Sequence, residues 1–260
     1  MPLMEHLREL RYRMFISVVA ILLGTIFGWI VYPTVFDFIK EPYTTGIAPL
    51  LQREGFDAKL VLAGGVGSPF TFRLKVAFVT GLVVSSPIWI AQIWAFVLPA
   101  LHRHEKRWAY LMSSLASPLF LAGIVLGYVV LPKGIEVLIG FAPDSIDVLL
   151  TLSDYLSFVL RTMLVFGVAA EIPLVVVMLN RLGVVSAKQL ASARPWTIVG
   201  IFIFAAVATP STDPMTMLFL GVPMTVLYLI SELITKFTDR RRDKAKPFEL
   251  KDDEASPLEG

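Results

Sequence analysis

Residues Thr162–Asn180 read TMLVFGVAAEIPLVVVMLN, apolar throughout except for one carboxylic acid, Glu171. As a helix, a stretch of this length crosses a hydrocarbon core of about 30 Å. An acid near the middle of a span costs about 2.5–3.5 kcal/mol, whereas each Leu, Ile, Val or Phe returns about 0.3–0.6 kcal/mol. The segment therefore inserts with little to spare, and Glu171 is expected to face the bundle interior or a wet cavity and to work there. The plainer alternative is a protonated acid bonded to a neighbouring helix.

The rest of the chain supports a membrane reading. Of its 260 residues 56% are hydrophobic, and the mean hydropathy is +0.72, well above soluble domains. With no Cys, disulfides, thiol catalysis and thiolate metal sites are excluded. Apolar runs recur without a polar block long enough to fold separately, which predicts one membrane domain over residues 1–236 and a charged, disordered tail over 237–260. The first run follows Arg8, Arg11 and Arg13 and lacks a small-residue cleavage site, so it is expected to be a retained span and not a removed signal peptide.

Spans are expected at about 14–32, 74–98, 108–131, 155–179, 196–209 and 215–235. An even number puts both termini on one side. Sixteen Lys and Arg fall in the ends and alternate connections, against four in the opposite ones, so the positive-inside rule makes both termini cytoplasmic. The fold class is thus an all-α integral membrane protein of six transmembrane helices. On the outer side, residues Val35–Lys40 and Ile135–Ile139 read as short amphipathic elements lying on the membrane face, forming a cap. A polar site in the bundle would then open toward the cytoplasm.

The fifth span, Trp196–Thr209, is expected to be short, about fourteen residues or roughly 21 Å of helix; the alternative is a longer tilted span that absorbs Ser192 or Thr212. Pro195 suits a first helical position and Pro210 stops the chain. Pro87, Pro118, Pro173 and Pro223 lie inside spans two, three, four and six, and each is expected to kink its helix, giving a bent, concave bundle.

Glu171 lies nine residues inside the cytoplasmic end of its helix, and Gln92 lies six inside the end of span two. The similar depths suggest that the two share one polar patch, since polar side chains in lipid seek partners across helices. At the N-terminus Leu3, Leu7, Leu10 and Met14 mark an apolar face, and Glu5 and Glu9 stack one turn apart. Pairing of Glu5 with Arg8 and Glu9 with Arg13 would be ordinary helix chemistry, about 0.2–0.5 kcal/mol each. Enzymatic readings fare poorly. No histidine shares a span with a nucleophilic Ser, no span interior holds an Asp, and no Gly-rich phosphate loop is present.

These segments resemble the TatC family, the multispanning subunit of the twin-arginine protein translocase. The carriers are His6–Arg11, Ser68–Phe70, Gln92–Phe96 leading through Pro99–Leu101 to His104–Arg107, Tyr155–Phe158, Phe166–Gly167, Glu171–Pro173, Arg194–Pro195 and Thr209–Pro210 with Asp213. The resemblance implies a prokaryotic plasma-membrane protein with no cofactor and no metal. It would receive signal peptides bearing two adjacent arginines on its N-terminal segment and first cytoplasmic loop. Receptor roles then fall on Glu9 and Glu105, with Leu7, Arg8, Arg11, Arg103 and Arg107 around them. A guanidinium offers a planar fork that a carboxylate accepts and lysine cannot reproduce.

The same resemblance makes Glu171, with Gln92, an intramembrane contact for the inserted signal peptide or for a single-span TatA- or TatB-type partner. Thr209, Pro210, Asp213 and Met217 would belong to the partner-docking edge, and Ser68, Pro69 and Phe70 to the outer cap. It also implies a homo-oligomer within the complex, driven by the proton gradient, with no nucleic-acid partner. Two departures stand at the docking edge. Ser211 and Thr212 separate Pro210 from Asp213 where a second proline is common, and Met217 stands where Gln is common. A proton-coupled small-solute transporter using Glu171 is the alternative from another class, and it would carry solute unaided.

Overall fold

In a computed structural model the chain is described over residues 3–52, 57–62, 64–97, 106–143, 148–181, 183–208 and 214–245. Helix α1 (Leu3–Ile30) leads into α2 (Tyr32–Ile47) and a strand β1 (Ala58–Val61). Helices α3 (Ser68–Val84), α4 (Ser86–Val97) and α5 (Lys106–Ile139) follow, then β2 (Val148–Thr151). The chain continues with α6 (Leu152–Ala170), α7 (Ile172–Arg181), α8 (Ala187–Ala208) and α9 (Pro214–Ala245). Five helical runs are long and apolar enough to cross a membrane, and the bent pair α3–α4 makes a sixth span.

Two of the expected proline kinks are breaks in the helix. Between α3 and α4 the axis turns by 56°, because Pro87 brings no backbone donor. The carbonyl of Leu82 is recovered at the bend by the indole of Trp89, whose Nε1 donates to it at 2.9 Å. Between α6 and α7 the break falls at Glu171, two residues before Pro173. Pro118 and Pro223, by contrast, lie within the unbroken helices α5 and α9.

Small residues let the helices approach closely. Gly24 of α1 faces Gly81 of α3, and a β-carbon added at Gly24 would lie 2.6 Å from the Gly81 carbonyl oxygen. Gly123 and Gly127 of α5 abut Phe166 and Met163 of α6 in the same way. Without a hydrophobic drive between helices in lipid, such close backbone packing supplies much of the association.

The cap forms where α2 buries Ile39, Pro42, Tyr43, Gly46 and Ile47, an i, i+3, i+4, i+7, i+8 stripe. It packs against Leu131, Ile135 and Ile139 of α5 and Tyr155 and Leu156 of α6. Tyr155 donates its hydroxyl to the Ile39 carbonyl at 2.5 Å, and Tyr128 donates to Glu41 at 2.9 Å. Residues Ile135–Ile139, expected as a separate surface element, instead continue α5 beyond Pro132, because Ile135 and Ile139 have this apolar core to enter. A second difference is a parallel pairing of β1 with β2, Ala58 opposite Val148 through Val61 opposite Thr151. At its edge Lys59 hydrogen-bonds Asp57 and holds that carboxyl below the usual range.

Helix α8 is longer than expected. Its 22 residues begin at Ala187, with Pro195 inside and not at the first position. The start is fixed upstream: Ser186 N–H donates to Gln189 Oε1 at 2.8 Å, and Gln189 N–H donates to Ser186 Oγ at 3.2 Å, a reciprocal cap. Asp239 of α9 completes it, accepting from Ala187 N–H at 2.7 Å and from Asn180 Nδ2 at 2.9 Å. Helix α9 accordingly runs to Ala245, past the expected domain limit at 236. Asp239→Ala is expected to lower stability by about 1–2 kcal/mol through loss of this cap, read as a lower thermal midpoint in detergent; Asp239→Asn keeps an acceptor and should lose less.

Candidate functional site

On the side that carries the N-terminus, α1 lies along α4. Glu9 is the centre of the contact. Arg13, one turn on, donates to Glu9 Oε1 from Nη2 at 2.6 Å and from Nε at 3.0 Å. Its remaining nitrogen, Nη1, reaches Gln92 Oε1 of α4 at 3.4 Å. His6 stacks on Phe96 with ring centroids 4.4 Å apart and brings Nδ1 to 4.0 Å from Glu9 Oε2. Leu7, Arg8 and Arg11 are exposed, and Glu5, Arg8, Glu9, Arg11, Tyr12 and Phe15 line a surface depression of about 570 Å³. Arg107 lies in the first turn of α5. Glu105 and Arg103 fall outside the described residues.

Glu171 occupies the α6–α7 break. Its N–H donates to the Val168 carbonyl at 3.1 Å, and its carbonyl accepts from Val175 N–H at 3.0 Å. Both carboxylate oxygens are buried without a hydrogen bond among the described residues. Burying a polar group without a partner is costly, so Glu171 carries an unoffset polar cost at the break. Gln92 does not answer it. Gln92 Oε1 accepts from Arg13 of α1, and the helix that follows Glu171 places Leu174 and Met178 in one core with Ile90, Trp94 and Phe120.

At the opposite side, Ser68, Pro69 and Phe70 form the first turn of α3, where Pro69 fits because an N-terminal turn needs no donor there. Phe70 meets Trp29 edge-on at 5.7 Å. Arg73 lies over the Trp29 ring at 4.4 Å and donates to the Trp29 carbonyl at 3.2 Å, a cation at the C-terminal end of α1. Of the docking-edge residues, Met217 packs inward beside Phe166, Ala205 and Leu220. Thr209, Pro210 and Asp213 fall outside the described residues.

One polar pair was not singled out from sequence. Glu232 of α9, largely buried, accepts from Arg194 Nε at 2.9 Å and Nη2 at 2.5 Å. The Tyr228 hydroxyl donates to the Leu190 carbonyl one turn away at 2.9 Å. Together these fix the start of α8 on α9, so that its apolar part still begins at Trp196. The signal was present as an acid inside the sixth apolar run, with an arginine at the head of the fifth.

Residues 5–223 match the family described as Sec-independent protein translocase protein (TatC). The chain is 41% identical over 268 residues to the Sec-independent protein translocase protein TatC of Frankia casuarinae, covering 100% of this chain and 73% of that one. It is 33% identical over 237 residues to the protein of the same description from Escherichia coli K12, covering 91% and 88%. A crystal structure described as the twin-arginine translocase receptor TatC superimposes with a TM-score of 0.79 at 32% identity, covering 90% of this chain and 100% of that one.

Proposed function

The chain belongs to the TatC family, a multispan component of a bacterial Sec-independent protein translocase and not an enzyme, and from that premise we propose that it is the receptor for twin-arginine signal peptides. The reading places both termini in the cytoplasm, consistent with the Lys and Arg distribution. With TatA- and TatB-type partners, and driven by the proton gradient, it passes folded proteins across the membrane. The observation that carries the receptor reading is Glu9, a carboxylate at a membrane-edge contact with Oε2 accepting no hydrogen bond among the described residues. Glu105, on the next connection, serves the second arginine. Support for an intramembrane role of Glu171 comes from its buried oxygens, which accept no hydrogen bond among the described residues and suit a polar group on an inserted signal peptide or a partner helix.

The test is site-specific photocrosslinking in native membranes, with the reactive residue at Glu9 or Glu105 and a cargo whose signal peptide carries its arginine pair or two lysines. An arginine-dependent crosslink is the expected outcome. Absence of arginine dependence at both positions, in inserted and folded protein, would reject the receptor assignment.

A further inference from the structure

The geometry around Glu9 points to a specificity device, which deepens the receptor reading and rests on it. We propose that Arg13 and Gln92 are positioning residues: they hold Glu9 so that Oε1 is occupied internally and Oε2 is presented to the incoming guanidinium, making the site select arginine over lysine.

Both hydrogen bonds from Arg13 end on one oxygen, Oε1. The third nitrogen of the same guanidinium is tied to Gln92, 79 positions away on another helix. A guanidinium bonded on two of its edges is held in orientation, and with it the position of Oε1. Oε2 accepts no hydrogen bond among the described residues, and His6 stands 4.0 Å from it. A carboxylate oxygen has lone pairs for two N–H groups of one fork, which is how Oε1 receives Arg13.

The charges nearby explain what this arrangement discriminates. Arg13 neutralises much of the Glu9 charge, and Arg8 and Arg11 line the same surface with Glu5 opposing them. A lysine ammonium, a compact and strongly hydrated point charge, gains little from so balanced a field. A guanidinium gains directed hydrogen bonds from an oxygen already oriented. Were Arg13 only a competitor for the peptide, it would be expected to cover both oxygens; it covers one.

The test is equilibrium binding to the full chain in lipid nanodiscs, using two synthetic signal peptides that differ only in an arginine or a lysine pair. The readout is the ratio of their dissociation constants. In the unaltered protein the arginine peptide binds tighter. A ratio near one there would overturn the receptor reading itself, before any variant is measured. Arg13→Gln is expected to lower the ratio about tenfold, because an unpaired carboxylate turns freely and attracts either cation. Gln92→Leu should lower it in the same direction by about threefold, since only the weaker tether is lost. If both peptides weaken alike, Arg13 is merely structural; if both tighten alike, it is a competitor. Either result, with the ratio unchanged, overturns the positioning proposal while leaving the receptor reading in place. Should Arg13→Gln fail to fold, the ratio in Gln92→Leu decides alone.

Discussion

Glu9→Gln is expected to weaken binding of an arginine-pair signal peptide by about ten- to hundredfold, the loss of one charge-assisted pair. The substitution keeps the side-chain length and an oxygen for Arg13, so α1 should stay on α4 through the Arg13–Gln92 bond and the His6–Phe96 stack. What disappears is the charge that answers a guanidinium. Glu5→Gln is the matched control, because Glu5 lies one turn earlier on the same helix and is exposed. Binding measured in nanodiscs should fall in the first variant and hold in the second. Equal effects in the two would mean that the acids act only through the general field of the surface.

Gly81→Leu is expected to leave no folded protein, and Gly81→Ala to cost about 1–3 kcal/mol or more. A β-carbon at Gly81 would lie 2.6 Å from the backbone carbon of Gly24 and 2.7 Å from the Thr25 α-carbon. These are main-chain atoms of a helix, which cannot swing aside as a side chain can, so α1 must leave α3. Since α1 carries Glu9 and Arg13, the proposed receptor site goes with it. Gly200 of α8 is the contrast, with nothing within 4 Å of an added β-carbon. Gly200→Ala should therefore keep a monodisperse profile and an unchanged thermal midpoint in detergent, whereas Gly81→Ala should show a lower midpoint.

The candidate site residues were unevenly legible. Glu171 stood out because an acid inside an apolar window is costly wherever the helix points. Glu9 was visible as one of two stacked acids, with Arg13 as an ordinary helix partner; that pair formed, yet its second bond, to Gln92, is what makes it more than ordinary. Glu232 was passed over although it too lies in an apolar run. Its meaning depends on Arg194, 38 residues earlier.

The sequence by itself determined the number of spans, the membrane class, the places where proline could interrupt a helix, and the family. The first three follow from composition in windows of about twenty residues, where burial in lipid is a local property; the family follows from the resemblance carried by motifs such as His6–Arg11 and Glu171–Pro173. Only the tertiary structure decided which face each helix shows its neighbours. It brought Gln92 to Arg13, carried α8 through Pro195 onto Asp239 and Glu232, and paired β1 with β2 across three intervening helices. Such pairings depend on helix rotation and on the glycine contacts that set how closely the axes approach, and a pattern of apolar residues does not encode those angles when every face of a span is apolar.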